Sequence, residues 1–179
     1  RRYRIPLRGY ASVNSREHLE YLGMLNVDVL LSSQGQIFRG ELLRLPNVAC
    51  INRHTALLPK YGGVLPVFWA MQFGEKEFGV SVHTMVEEID SGDVLAQSAI
   101  PLDASHSLFA NYLLAFEISV TVTLRALANL RKKKAEKIPP RSGRTYFSVP
   151  GFDTIKAFKK THATFSWSDI FSYYRWRHA

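Results

Sequence analysis

Two short apolar runs, Val27-Asp28-Val29-Leu30-Leu31 and Val48-Ala49-Cys50-Ile51, each preceded by a stretch of helical periodicity, limit this chain to few folds. Residues 14–25 place Leu19, Leu22 and Leu25 among charged neighbours, the spacing of one helix face. Phe38 to Leu45, stopped by Pro46, predicts a second short helix. The order helix, strand, helix, strand points to an α/β protein with a mostly parallel sheet and crossover helices. In such sheets ligands bind beyond the carboxyl ends of the strands, where the loop Ser32 to Gln36 and the triplet Asn52 to His54 fall.

Further along, Leu65 to Phe73 reads as an apolar helix ended by Gly74. Gly79 to Met85 and Val94 to Ile100 read as two strands around an acidic loop that holds Asp90. Residues 107–131 carry apolar side chains three and four apart, from Leu108 through Tyr112, Phe116 and Val120 to Leu130, a long amphipathic helix with a core-packing stripe. Pro139-Pro140-Arg141-Ser142-Gly143 marks a linker, dividing the chain into a main domain over 1–138 and an aromatic-rich extension over 139–179.

The 179 residues are 46% apolar, enough for a real core, with no apolar run expected near the ~20 residues of a membrane span. The basic start leads into polar Asn14-Ser15-Arg16-Glu17 rather than a signal-peptide apolar region, and the single Cys50 excludes an internal disulfide, so a cytoplasmic chain is expected. Cys50 sits in an apolar strand and reads as a buried, inert thiol. The net charge of +8 is concentrated at the N-terminus, at Arg131-Lys132-Lys133-Lys134 and in the tail. A basic helix end is compatible with the helix dipole, which argues against a nucleic-acid surface and leaves attraction for an anionic small substrate.

Asn52 and His54, one residue apart at a strand end, point to the same side of the backbone and can converge on one atom. With a carboxylate such as Asp90 they supply hydrogen-bond donors for a developing oxyanion and a proton acceptor, the needs of acyl transfer to an amine. His83 is open to two readings, a satisfied structural histidine or a contact to substrate. Glu87, Glu88, Asp90 and Asp93 have no accompanying His or Cys cluster, which makes them a charged loop rather than a metal site. Lys60 is either a phosphate contact or a solvated lysine.

The stretch Asn52-Arg53-His54, Leu57-Leu58-Pro59-Lys60-Tyr61-Gly62-Gly63, Gly79-Val80-Ser81 and Ile89-Asp90-Ser91-Gly92-Asp93 resembles the folate-dependent formyltransferase family. That family includes methionyl-tRNA, glycinamide ribonucleotide and amino-sugar N-formyltransferases. The resemblance covers residues 26–102, and Gly143 to Pro150 is similar to a C-terminal segment of the sugar-modifying branch. It implies a Rossmann-like sheet flanked by helices, 10-formyltetrahydrofolate as formyl donor, and catalytic roles for Asn52, His54 and Asp90. It assigns donor binding to Ser33, Gln34, Gly35, Val86, Glu88, Ile89 and Asp90, and acceptor binding to Lys60, Tyr61, Gly62 and His83, with no metal. Gly62 stands where many relatives have Arg. The family's first strands would precede Asn14, so the Val27 to Leu31 strand is expected at a sheet edge.

The segment after Pro140 is too short for a five-stranded tRNA-binding barrel. The resemblance therefore implies a small acceptor, a dTDP- or GDP-linked 4-amino-4,6-dideoxy sugar of cell-surface polysaccharide such as O-antigen, handled by a homodimer. Tyr146, Phe147, Trp167 and Tyr174 are candidates for base stacking or a dimer contact. The alternatives are a methionyl-tRNA formyltransferase-like enzyme and a non-catalytic binding module that kept the fold.

Overall fold

The computed structural model describes residues 5–33, 35–103, 105–133 and 143–178. Helix α1 (Arg16–Leu25) leads into β1 (Val29–Ser32), and α2 (Gly40–Arg44) into β2 (Ala49–His54). A two-residue strand β3 (Gly62–Gly63) precedes α3 (Pro66–Gln72). There follow β4 (Glu77–Thr84), β5 (Val94–Pro101), the long α4 (Leu108–Arg131), the short β6 (Tyr146–Phe147), α5 (Phe152–Thr161) and α6 (Trp167–His178).

The helix starts follow their side chains. Ser15 caps α1 by accepting from the backbone N–H of His18, and Ser107 caps α4 by accepting from that of Ala110. Ser107 also donates its own proton to the buried Asp169 carboxylate at 2.7 Å, which ties α4 to the start of α6. Asn26 closes α1 in the left-handed conformation, for which Asn is among the better residues.

The main sheet has the order β1-β2-β4-β5, with β1 as its outer strand and Leu31 half exposed there. Flanking helices and a central sheet match the expected α/β class, but the sheet is mixed rather than mostly parallel. Only β1 and β2 run parallel, while β2–β4 and β4–β5 are antiparallel. The αβ repeat of residues 14–51 carries the parallel signal, because a crossover helix separates its two strands. β4 and β5 are instead joined by the short acidic loop, which reverses the chain and permits only antiparallel pairing.

Val80 and Val82 of β4, with Ile51 of β2, meet Val67, Phe68 and Met71 of α3 and Ala115, Val122 and Ala126 of α4 in one core. By strand alternation Ser81 and His83 face the other way, and so do Asn52 and His54. The loop after β2 covers that second face. Ser81 Oγ donates to Ala56 C=O at 2.6 Å and accepts from Leu58 N–H at 3.1 Å. Gly79 is required there, because a Cβ at that position would lie 2.3 Å from Leu57 Cδ2 and from Ser98 C=O.

The expectation of no apolar run near membrane-spanning length is corrected by α4, which passes by length and composition. Its Leu113, Ala115, Val122 and Ala126 are nevertheless buried against the sheet and α3. The boundary between the expected domain and extension falls in 134–142, outside the described residues. Beyond it, Phe158 of α5 is fully buried and its ring stacks on Phe68 at 4.4 Å, so the extension helps to build the main core.

Candidate active site

Asn52 and His54 end β2, and the antiparallel register puts His83 directly opposite Asn52 and Ser81 opposite His54. Four polar side chains are thereby brought to one face by backbone pairing alone. Asp90 arrives from the acidic loop, held in left-handed geometry at φ +52. Met85 N–H donates to Cys50 C=O, Thr84 N–H to Asp93 C=O, and Asp93 N–H to Thr84 Oγ1, which fixes the two ends of that loop.

Asp90 lies between the two imidazoles. Its Oδ1 is 3.4 Å from His83 Nε2, its Oδ2 is 3.8 Å from His54 Nδ1, and Oδ2 accepts the Gly63 N–H at 2.8 Å. Burial pushes the Asp90 carboxyl up. The His83 hydrogen bond, the positive charge available at His54 and the Gly63 N–H outweigh that effect and hold it down at about 2. Asp90 is therefore ionised at neutral pH.

His54 is buried, and that burial lowers its pKa below the ordinary 6.5 although Asp90 and the Tyr61 carbonyl oppose it. At neutral pH the His54 ring is uncharged, so the Gly63 N–H, more than an imidazolium at 54, keeps Asp90 ionised. His54 Nε2 lies 2.8 Å from Tyr61 C=O, which only accepts, so the proton is on Nε2 and Nδ1 offers its lone pair toward Asp90. The expected donor role of His54 thus requires prior protonation at Nδ1. His83 Nδ1 likewise donates to Thr84 C=O at 2.7 Å, leaving Nε2 between Asn52 Nδ2 and Asp90 Oδ1, each 3.4 Å away. Neutral His83 accepts from Asn52; protonated His83 donates to Asp90.

These groups line a cleft of about 270 Å³ together with Gly35, Val86 and Ile89. Ile37, Phe38, Met85 and Val64 give it an apolar wall, and Tyr146 of β6 stands at its edge. Ser33 does not line it but accepts from the Arg53 guanidinium. Glu88 turns away to pair with Arg144, and Gln34 lies outside the described residues. Lys60 and Tyr61 surround a separate cavity of about 280 Å³, where Tyr61 OH donates to Glu75 at 2.7 Å and Lys60 Nζ is 3.6 Å from Glu75. Gly62 packs against Asp90 and Thr145, where a Cβ would come within 3.5 Å of Asp90 Cβ and 3.3 Å of Thr145 C=O. Cys50 is buried and pushed up to about 11 by that burial, the inert thiol expected of its strand. Among the described residues no group of His, Cys, Asp and Glu is arranged to hold a metal ion.

The place of His83 inside the constellation follows from the antiparallel register, which periodicity within one strand does not encode. Tyr146 and Arg144 come from a segment more than fifty residues beyond the acidic loop, and no local pattern signals such a contact.

An α/β sheet that presents an amide, two imidazoles and an ionised carboxylate at one cleft defines a site suited to carbonyl-group chemistry. The chain belongs to the formyl transferase family, whose pattern matches residues 8–112. It is 42% identical over 93 residues to a methionyl-tRNA formyltransferase of Thermotoga neapolitana, a match over 51% of this chain and 30% of that protein. Among solved structures it resembles a sugar N-formyltransferase from Shewanella sp. at 25% identity and TM-score 0.64, covering 76% of this chain and 55% of the other. WlaRD, a sugar 3-N-formyltransferase solved in the presence of dTDP and 5-N-formyl-THF, shares the fold at 21% identity and TM-score 0.56, over 68% and 44% of the two chains. The chain thus spans about a third of the length of the curated relatives it matches.

Proposed function

We propose that this chain carries the site of an N-formyltransferase that moves a formyl group from 10-formyltetrahydrofolate to the primary amine of a nucleotide-linked amino sugar. The observation that carries the reading is the convergence of Asn52, His54 and His83 with Asp90, whose two oxygens lie 3.8 Å and 3.4 Å from the imidazoles at the floor of one cleft. Family membership and the likeness to folate-bound and sugar-modifying relatives support the donor and the acceptor class.

In the reaction a bond forms between the amine nitrogen and the formyl carbon as the bond from that carbon to N10 of the folate breaks. One proton leaves the amine and one is delivered to N10. Asn52 Nδ2 is the neutral donor for negative charge developing on the formyl oxygen. The Nδ1 lone pair of neutral His54 accepts the proton, and Asp90 stabilises the imidazolium that results. Protonated at Nδ1, His54 then becomes a second donor. The apolar wall of Ile37, Phe38, Met85 and Val64 suits a flat pterin ring, and Tyr146 is placed to stack on a second planar group.

The acceptor we favour is a dTDP- or GDP-linked 4-amino-4,6-dideoxy sugar for cell-surface polysaccharide, used in the cytoplasm. A homodimer is the proposed assembly, to which the exposed Phe152, Trp167 and Phe171 of the C-terminal segment offer apolar area. A second reading, transfer to Met-tRNA, draws on the 42% identity to a methionyl-tRNA formyltransferase. The deciding experiment is formyl transfer from 10-formyltetrahydrofolate to a panel of nucleotide-linked amino sugars and to Met-tRNA. Asn52→Ala is expected to lower kcat by at least ~100-fold, the effect of removing one oxyanion donor. Transfer to Met-tRNA alone would replace the sugar reading, and no transfer to any acceptor would leave a binding module.

A further inference from the structure

The segment that follows the described end of α4 reaches back across the molecule and touches both loops that hold the reacting groups. Thr145 Oγ1 accepts the Tyr61 N–H at 2.8 Å, and Thr145 C=O accepts the Gly62 N–H at 2.9 Å. Tyr61 is the residue whose carbonyl takes the Nε2 proton of His54, and it is held at φ +62, a conformation costly for a tyrosine without such support. One residue earlier, Arg144 Nη2 donates to Ile89 C=O at 2.7 Å and Nη1 pairs with the Glu88 carboxylate. Ile89 is the neighbour of Asp90. Phe147 closes the strap by accepting the Val64 N–H at 2.8 Å and stacking on Trp69 at 4.8 Å.

We infer that Arg144 and Thr145 are positioning residues which lock His54 and Asp90 into register with each other. The inference rests on the formyltransferase reading for its kinetic consequence, but its structural consequence stands apart from any reaction. Among the described residues the end of β2 and the loop after it meet Asp90 through the hydrogen bond from Gly63 N–H to Oδ2 and the 3.8 Å approach of His54 Nδ1 to the same oxygen. The ends of the acidic loop are held to β2 and β4, while that hydrogen bond grips the Asp90 side chain near the loop's tip. Arg144 and Thr145 are adjacent in the chain and grip one loop each, so the peptide between them supplies a further attachment, on the backbone beside Asp90 rather than on its carboxylate. Thr145 acts on His54 through the Tyr61 carbonyl and on Asp90 through Gly62 and Gly63; both residues act through backbone neighbours of the reacting groups.

The test uses the full chain with Thr145→Val, which keeps shape and removes the acceptor for Tyr61 N–H, Thr145→Ser, which restores it, and Arg144→Gln. Long-range proton–nitrogen NMR of the histidine rings reads the His54 tautomer, and steady-state kinetics reads kcat and KM. Thr145→Val is expected to turn the single Nε2–H tautomer of His54 into a mixture, and to lower kcat by at least ~10-fold with KM for the donor within ~2-fold. Thr145→Ser is expected to return both signals, with a circular dichroism melting curve confirming that each variant is folded. Arg144→Gln is expected to lower kcat similarly while leaving the His54 tautomer in place, because its grip is on the Asp90 loop. A wild-type His54 spectrum in Thr145→Val overturns the inference even if the rate falls. If the wild-type chain transfers no formyl group, the proposed function fails, and the tautomer signal alone still decides the role of the strap.

Discussion

In the proposed reaction His54 serves as the base because of where its other nitrogen is tied. With Nε2–H committed to Tyr61 C=O and burial disfavouring the cation, the useful form is neutral, and its pKa lies below the ordinary 6.5. Protonation therefore removes activity from the acid side only. The ratio kcat/KM is expected to stay flat through neutral pH and to fall as pH drops through that lowered value, with His54→Gln abolishing the limb along with most of the rate. Asp90 works in the opposite direction and on stability. Its folded value of about 2 lies below the ordinary 3.8, so its contribution is full above about pH 4 and is lost as pH falls toward 2. For a side chain this buried the contribution is about 2 kcal/mol, and urea titrations from pH 7 to pH 3 should show a shallower acid loss of stability in Asp90→Asn than in wild type. The positions of Asn52 and His54 were legible because strand alternation is local, and Asp90 because of the surrounding Asp-x-Gly pattern. The tautomer of His54 was not, since it depends on a carbonyl seven residues away in a loop of left-handed geometry.

At the scale of elements, the first helices and strands followed their periodicities to within a few residues, and the β4–β5 hairpin was readable as two strands around an acidic loop. The overall direction of the sheet was not, because hydrophobic pattern reports burial and says nothing about which way a strand runs. The acidic loop shows what holds such a hairpin in place. Gly92 lies so close to β4 that a Cβ would fall 1.8 Å from Thr84 C=O, backbone against backbone with no flexible side chain to yield. Gly92→Ala is therefore expected to cost about 1–3 kcal/mol, as overpacking does, and to displace the loop that carries Asp90. Urea denaturation reads the first effect. A fall in kcat larger than the stability loss explains would read the second. A Gly92→Ala variant with wild-type stability and rate would mean that the loop does not press on β4 as described.

For the whole molecule, the sequence suggested a main domain with an appendage, and composition made that division natural: a Pro-rich break followed by an aromatic tail. Packing tells against treating the tail as a separate piece. Phe158 has no exposed surface, stacks on Phe68 of α3 and belongs to the same cluster as Ile51, Val80 and Val82 of the sheet. Asp169 at the start of α6 is buried against Ser107, the cap of α4, and β6 pairs with β3 beside the loops of the candidate site. Aromatic content alone could not distinguish these contacts from surface stacking, since Phe152, Trp167 and Phe171 in the same tail are exposed. A residue that shares a core with the sheet must unfold with it. Phe158→Ala is thus expected to destabilise the entire chain by about 3–5 kcal/mol and to leave a single denaturation transition seen alike by tryptophan fluorescence and far-ultraviolet circular dichroism. Trp69 lies on the sheet side and Trp167 on the tail side, so their emission samples both parts. Two separated transitions, with the tail melting first, would show that the C-terminal segment is a dispensable addition. One transition would make the strap across the cleft a consequence of the same cooperative core that positions the sheet.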